Sequence, residues 1–428
     1  MLDQGQKMHD LITELFPICR SITGNGVRET LEIIKRHIPV RQVEIPTGTP
    51  VFDWEIPKEW NVRDAYIKNS AGDKIIDFKV LNLHLLNYSI PVHQKVSLRE
   101  LREHLFTIPG KPDLIPYRTS YYQERWGFCM SQNQLDTLKD EEYEVTVDSS
   151  LEDGHLTYGE YYIRGEKEEE ILISTHICHP SLCNDNLSGI AVTTFLAREL
   201  ALRRPRYSYR FLFIPGTIGS IAWLSRNKAH LHRIRHGLVV TLLGDDSGFT
   251  YKKSRQGEAV IDRMAAYYLD RNFGGESHTI EFIPYGYDER QYCSPGINLP
   301  VGCLTRKPFG EFPEYHTSAD NLQFVKPERL SESLKVLKEL MEMVEKNEVY
   351  MNLNPLCEPQ LGRRGLYDRL GGTNDSKTLQ LAILWVLNFS DGKHDLLDIA
   401  ERSAIDFHVI CEAARQLEES QLLSIVAE

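Results

Sequence analysis

The chain has 428 residues, enough for two or three domains each with its own core. Its hydrophobic fraction of 41% and charged fraction of 26% are those of an ordinary globular protein. A formal net charge of -12 argues against a broad phosphate-binding surface, so no nucleic-acid partner is expected.

No apolar stretch approaches the length that spans a bilayer, and no membrane partner is expected. The opening Met1-Leu-Asp-Gln-Gly-Gln-Lys lacks the basic and apolar regions of a secretory signal, which makes the cytoplasm the expected compartment. Eight cysteines are scattered without a CxxC pair, the pattern of reduced core thiols.

Residues 5–38 read as two helices broken near Pro17. Leu11, Ile12, Leu15 and Phe16 form one apolar stripe; Val27, Leu31, Ile33, Ile34 and Ile38 form another. Short alternating runs such as Lys74-Ile-Ile-Asp-Phe then predict hairpins, with a short helix over 97–107 and a strand over 142–148. Residues 47–150 thus form a small β-rich unit inserted into the chain.

From 155 the pattern is strand and helix in alternation. Strands are expected at 170–175, 209–215, 237–244, 278–283 and 301–305. Helices are expected at 188–202, 219–226, 259–269 and 327–347. This predicts an α/β fold with helices on both faces of a sheet, built from residues 1–46 and 151–352.

A linker rich in Asn, Pro, Gly and Arg covers 352–374. The order helix, helix, helix, strand over 379–426 resembles a winged helix, and residues 360–428 form a third domain. Over 377–428 it carries four basic and nine acidic residues, which suits packing or homo-oligomer contacts better than DNA.

The chemistry concentrates in Ile171-Leu-Ile-Ser-Thr-His176-Ile-Cys-His179-Pro-Ser-Leu-Cys-Asn-Asp185-Asn-Leu-Ser-Gly189. A buried strand ends in two histidines, and an Asp follows in a turn before a helix. Active residues of α/β sheets lie beyond strand carboxyl ends, where His176, Gly216, Asp245 and Thr305 all fall. His316 lies in a later loop beside Glu311 and Glu314. Imidazole and carboxylate suit zinc, and Asp185 suits a bridging role. Cys178 and Cys183 flank the histidines and read as packing thiols. Arg255 is a candidate for a substrate carboxylate, and Tyr285 and Tyr287 for substrate hydrogen bonds.

His176 followed by Asp185-Asn186-x-Ser188-Gly189 resembles the co-catalytic zinc aminopeptidases, the group that includes bacterial leucyl aminopeptidases and glutaminyl cyclases. Asp245 and Tyr315-His316-Thr317 resemble two further ligand positions of that group. The whole layout is similar to a bacterial branch of aminopeptidase-like proteins with a β-rich insertion and a C-terminal winged helix.

The resemblance implies a zinc-exopeptidase-like (phosphorylase/hydrolase-like) mixed sheet and one or two zinc ions. Its substrate would be a small molecule or peptide with a free amino group. It leaves His176 and His179 both open as the ligand, because the orienting Asp two residues after the family's first His is Cys178 here.

One departure matters more. The close branch carries Pro-Glu-Thr-Ile-Gly-Ser after the second strand, with the Glu as base or ligand. This chain reads Pro215-Gly216-Thr-Ile-Gly-Ser220. A glycine accepts no proton, so Glu311 and Glu314 are the replacement candidates. Weakened hydrolysis, a non-catalytic metal-binding scaffold, and an acyl transferase or cyclase on the same fold all stand as readings.

Overall fold

The computed structural model describes residues 2–366 and 374–426, so the expected linker at 352–374 lies partly outside the described residues. The chain divides into two units, Met1–Leu337 and Lys338–Glu428.

The first unit is organised by an eight-stranded mixed sheet. Its order is Arg41–Pro46, His155–Ile163, Ser208–Ile214, Glu170–His176, Ile234–Val240, Val301–Thr305, Thr250–Lys252 and His278–Ile280. The four central strands run parallel. The first pair at one edge is antiparallel, as is the junction of Thr250–Lys252 with Val301–Thr305.

Glu170–His176 is buried at every position and lies between two parallel neighbours. Its unbroken apolar run therefore belongs to a strand covered on both faces. The helix Gly189–Leu200 that follows is buried nearly all round. The N-terminal helices Leu2–Leu15 and Asn25–Ile34 are amphipathic, burying Leu11, Ile12 and Leu15, then Val27, Leu31 and Ile34.

The inserted segment forms a four-stranded antiparallel sheet in the order Lys74–Asp77, Glu59–Lys68, Glu142–Glu152, Val92–Ser97. The helix expected over 97–107 is cut short. Ser97 caps Leu98–Leu101, but Leu105–Phe106 pairs as a strand with Phe128–Cys129. Arg102–His104 continues as a single 3-10 turn, and pairing takes over at Leu105.

Glu59 fastens this sheet to the rest of the unit. Arg28 grips its carboxylate with two parallel bonds of 2.7 and 2.8 Å, and the His155 amide donates at 2.9 Å. The Arg28 fork holds the Glu59 carboxyl down to about 2, against an ordinary 4.5. A depressed carboxyl contributes stability above its unfolded value and loses it as pH falls toward its folded one. We expect Glu59→Gln to cost about 1–2 kcal/mol at pH 7, allowing for solvent screening of a partly exposed pair. The gap between variant and parent should close between pH 4.5 and 2, as read from urea midpoints across pH.

In the second unit three helices, Asn374–Phe389, Leu396–Ser403 and Phe407–Glu419, accompany a small antiparallel sheet. That sheet runs Asp391–Asp395, Val349–Asn352, Leu423–Ile425. Asp395 and Asp406 cap the second and third helices. This is the layout of a winged helix. Among the described residues no helix is long and apolar enough to cross a membrane.

Candidate metal centre

The central strand ends at His176, and the chain turns sharply across the sheet edge. Buried Arg20 donates its Nε to the His179 carbonyl at 2.8 Å, which fixes where that imidazole starts. The following Asn184-Asp-Asn-Leu-Ser188 run spends every polar side chain but one on its surroundings. Asn184 accepts from the Gly244 amide at 2.8 Å and donates to Asp245 at 2.9 Å. Asn186 donates to Thr175 Oγ1 and to the His176 carbonyl. Ser188 donates to the Asn184 carbonyl and accepts from the Leu243 amide. Asp320 receives the amides of Asn184 and Asp185 at 2.6 and 2.9 Å. What these bonds leave is the Asp185 carboxylate, buried and facing the histidines.

Three imidazoles surround it. His176 Nε2 lies 2.8 Å from Asp185 Oδ1, His316 Nε2 lies 3.0 Å from Oδ2, and His179 Nε2 lies 4.0 Å from Oδ2. The ligand atoms of His176, His179 and Asp185 all fall within 4.8 Å of one another. Burial pushes the Asp185 carboxyl up, but His179, His176 and His316 together outweigh it and hold it well below the usual range. Burial pushes His179 down to about 3, leaving a neutral ring with its lone pair available.

The residues fit a zinc ion. Asp185 Oδ2 and His316 Nε2 are buried and have no hydrogen-bond partner, although they face each other. Atoms about 2.0–2.1 Å from one tetrahedral zinc lie about 3.3 Å apart, and the separations of 3.0 and 4.0 Å straddle that value.

The inserted segment supplies one wall. Tyr117 donates its amide to the His316 carbonyl at 2.8 Å, and its ring stands edge-on to His179 and His316. Tyr315 stacks on His316 from the other side, with ring centroids 3.9 Å apart.

With that geometry in place the chain can be set beside known proteins. The family described as a domain of unknown function (DUF4910) matches residues 9–347, and a winged helix-turn-helix family matches 348–425. This chain belongs to the DUF4910 family. A Clostridium acetobutylicum protein named for polysaccharide biosynthesis and an aminopeptidase-like domain is 55% identical over 424 residues, covering 99% of this chain and 97% of its own. A crystal structure described as a peptidase from Clostridium acetobutylicum superposes with a TM-score of 0.94 at 54% identity, over 99% of this chain and 97% of that one. The Bacillus subtilis zinc aminopeptidase has a TM-score of 0.56 at 12% identity, over 79% of this chain and 95% of its own, which shows a shared fold. The first unit therefore has the aminopeptidase-like mixed-sheet fold, and the second is a winged-helix domain.

The remaining candidates fall at varied places in this DUF4910 chain. Asp245 lies beside the centre but outside the cluster; one oxygen takes Asn184 and the other the Ser247 amide. Among the described contacts, neither exposed Glu311 nor half-buried Glu314 touches a histidine or Asp185 through its carboxylate. Arg255 is exposed and bonds Asn298, and Tyr285 is exposed at the surface.

Tyr287 is at the centre, its ring 4.1 Å from that of His176. Cys178 lies 3.1 Å from the Tyr287 hydroxyl, and burial pushes its thiol up to about 12. Asp320, Tyr117 and Arg20 are contributors that residue patterns did not single out. Only Asp320 carried a signal, four residues beyond His316. Arg20 and Tyr117 arrive through tertiary packing from distant segments.

Proposed function

We propose that this chain is a zinc-dependent, aminopeptidase-like hydrolase. It would cleave an amide bond beside a free amino group in a small aminoacyl or peptide conjugate. The observation that carries the reading is the convergence of His176, His179 and His316 on the buried Asp185 carboxylate. The relative named for polysaccharide biosynthesis supports a small conjugate as substrate.

His179, Asp185 and His316 would hold the ion. Bound there, zinc supplies polarisation of the scissile carbonyl and a lowered pKa for water. The chain's own contribution is placement. Asp320 fixes the Asp185 backbone, His176 holds Oδ1, and Tyr117 walls off His179 and His316. Gly216 provides no base, and a general base contributes roughly 10²- to 10⁴-fold in rate. Hydrolysis is accordingly slow, because among the described contacts the Glu311 and Glu314 carboxylates in the His316 loop make none with the cluster that would replace the lost base.

The test is hydrolysis of a panel of aminoacyl amides before and after zinc removal by chelation. Slow cleavage that stops on chelation and returns with zinc supports the reading. Cleavage that persists after zinc is gone would defeat it.

The lack of a carboxylate at Gly216 favours one second reading, an acyl transferase or cyclase on the same residues. It would yield product from an aminoacyl donor and an acceptor amine, with little hydrolysis when the amine is omitted. The acidic winged-helix domain suits association between copies rather than DNA.

A further inference from the structure

Two positions near Asp185 invite a cation. One is bounded by Oδ2, His179 and His316; the other would lie on the Oδ1 side, beside His176. They are not equivalent. On the Oδ1 side the His176 Nε2 lies 2.8 Å from Asp185, and the two Asp245 oxygens accept one bond each, from Asn184 and Ser247.

The space in front of Gly216 is filled. A Cβ built on Gly216 would sit 1.8 Å from Tyr287 Cε1, 2.6 Å from Cδ1 and 2.7 Å from Cζ. The Tyr287 ring thus stands where any side chain at 216 would project. It is fixed there by several contacts: its hydroxyl donates to the Gly216 carbonyl at 3.2 Å and lies 3.1 Å from Cys178 Sγ. One face packs on His176 and the ring stacks with Phe309, with centroids 5.7 Å apart. Gly216 and Tyr287 are one feature: the missing side chain makes the room that the phenol occupies.

We propose that Tyr287 plugs the second cation position, so that this chain holds one zinc, on His179, Asp185 and His316, and is barred from holding two. The proposal rests on the metal-binding part of the preceding reading and fixes its stoichiometry. It also makes Tyr287 a positioning residue for His176. A neutral phenol with a thiol neighbour contributes no charge to offset a second dication, and the ring excludes it by volume.

The test is metal content by elemental analysis of the full chain equilibrated with excess zinc and then desalted. The unmodified chain should retain one zinc per chain. The double variant Gly216→Glu/Tyr287→Ala, which supplies a carboxylate and clears the ring, should rise to two.

Two zinc ions in the unmodified chain overturn the plug while leaving the hydrolase reading intact. A double variant that keeps one zinc also overturns it, since retention of the first ion shows the centre is folded. If the double variant loses zinc altogether, a zinc-edge diffraction map of the unmodified chain soaked in excess zinc decides. A second peak beside His176 overturns the proposal, and a single peak supports it. No zinc in the unmodified chain defeats the metal reading itself.

Discussion

Asp185→Asn should abolish zinc retention and, with it, hydrolysis of any aminoacyl amide. Asp185 is about 1% exposed, and three imidazoles converge on its two oxygens. Their combined influence keeps the carboxyl ionised despite burial. An amide of the same shape removes the negative charge and turns one acceptor oxygen into a donor. The loss in affinity should exceed the roughly 10- to 100-fold typical of losing an outer partner of a metal site.

Fold should survive, because the backbone of the turn is held by Asp320, Asn186 and Ser188 rather than by Asp185. Isothermal titration with zinc reads the affinity, and circular dichroism checks the fold. Unchanged zinc affinity in a folded Asp185→Asn variant would contradict the assignment.

The second large effect is expected at Asp320, which touches neither histidine nor substrate. Its two oxygens receive the amides of Asn184 and Asp185 at 2.6 and 2.9 Å, and it is fully buried. Asp320→Asn places an NH₂ against one of those amides, leaving a buried donor unsatisfied at about 1–3 kcal/mol. The Asp185 turn then loses its fixed direction. Zinc affinity should fall about 10- to 100-fold, as for other residues that orient a ligand, and the thermal midpoint should drop. A fall in midpoint with zinc affinity unchanged would reduce Asp320 to a purely structural role.

Much of this was legible in the residues themselves. The uninterrupted apolar run before His176 signalled a strand buried on both faces, and a strand of that kind delivers its next residues to a sheet edge. The Asn184-Asp-Asn-x-Ser-Gly turn signalled a pinned carboxylate, because those side chains bond backbone readily. The edge strand 41–46 and its neighbour 155–163 were less visible. Their partners lie far along the chain, and Arg41-Gln-Val-Glu-Ile-Pro ends in a proline that only an edge position tolerates.

Choosing between His176 and His179 was beyond sequence. The distinction depends on which oxygen of Asp185 each ring faces, a matter of loop geometry. The partnership of Gly216 with Tyr287, 71 residues apart, was equally hidden. Glycine was legible as a lost carboxylate, but not as room for a phenol. Glu311 and Glu314 show the converse: proximity in sequence to His316 did not bring their carboxylates to the cluster.

The central claim is that three residues from two distant loops enclose one cation. Diffraction from zinc-loaded crystals, collected on either side of the zinc absorption edge, tests it most directly. The account predicts one anomalous peak within bonding distance of His179 Nε2, His316 Nε2 and an Asp185 oxygen. A peak held by other residues, or none at those three atoms in zinc-saturated crystals, would contradict it.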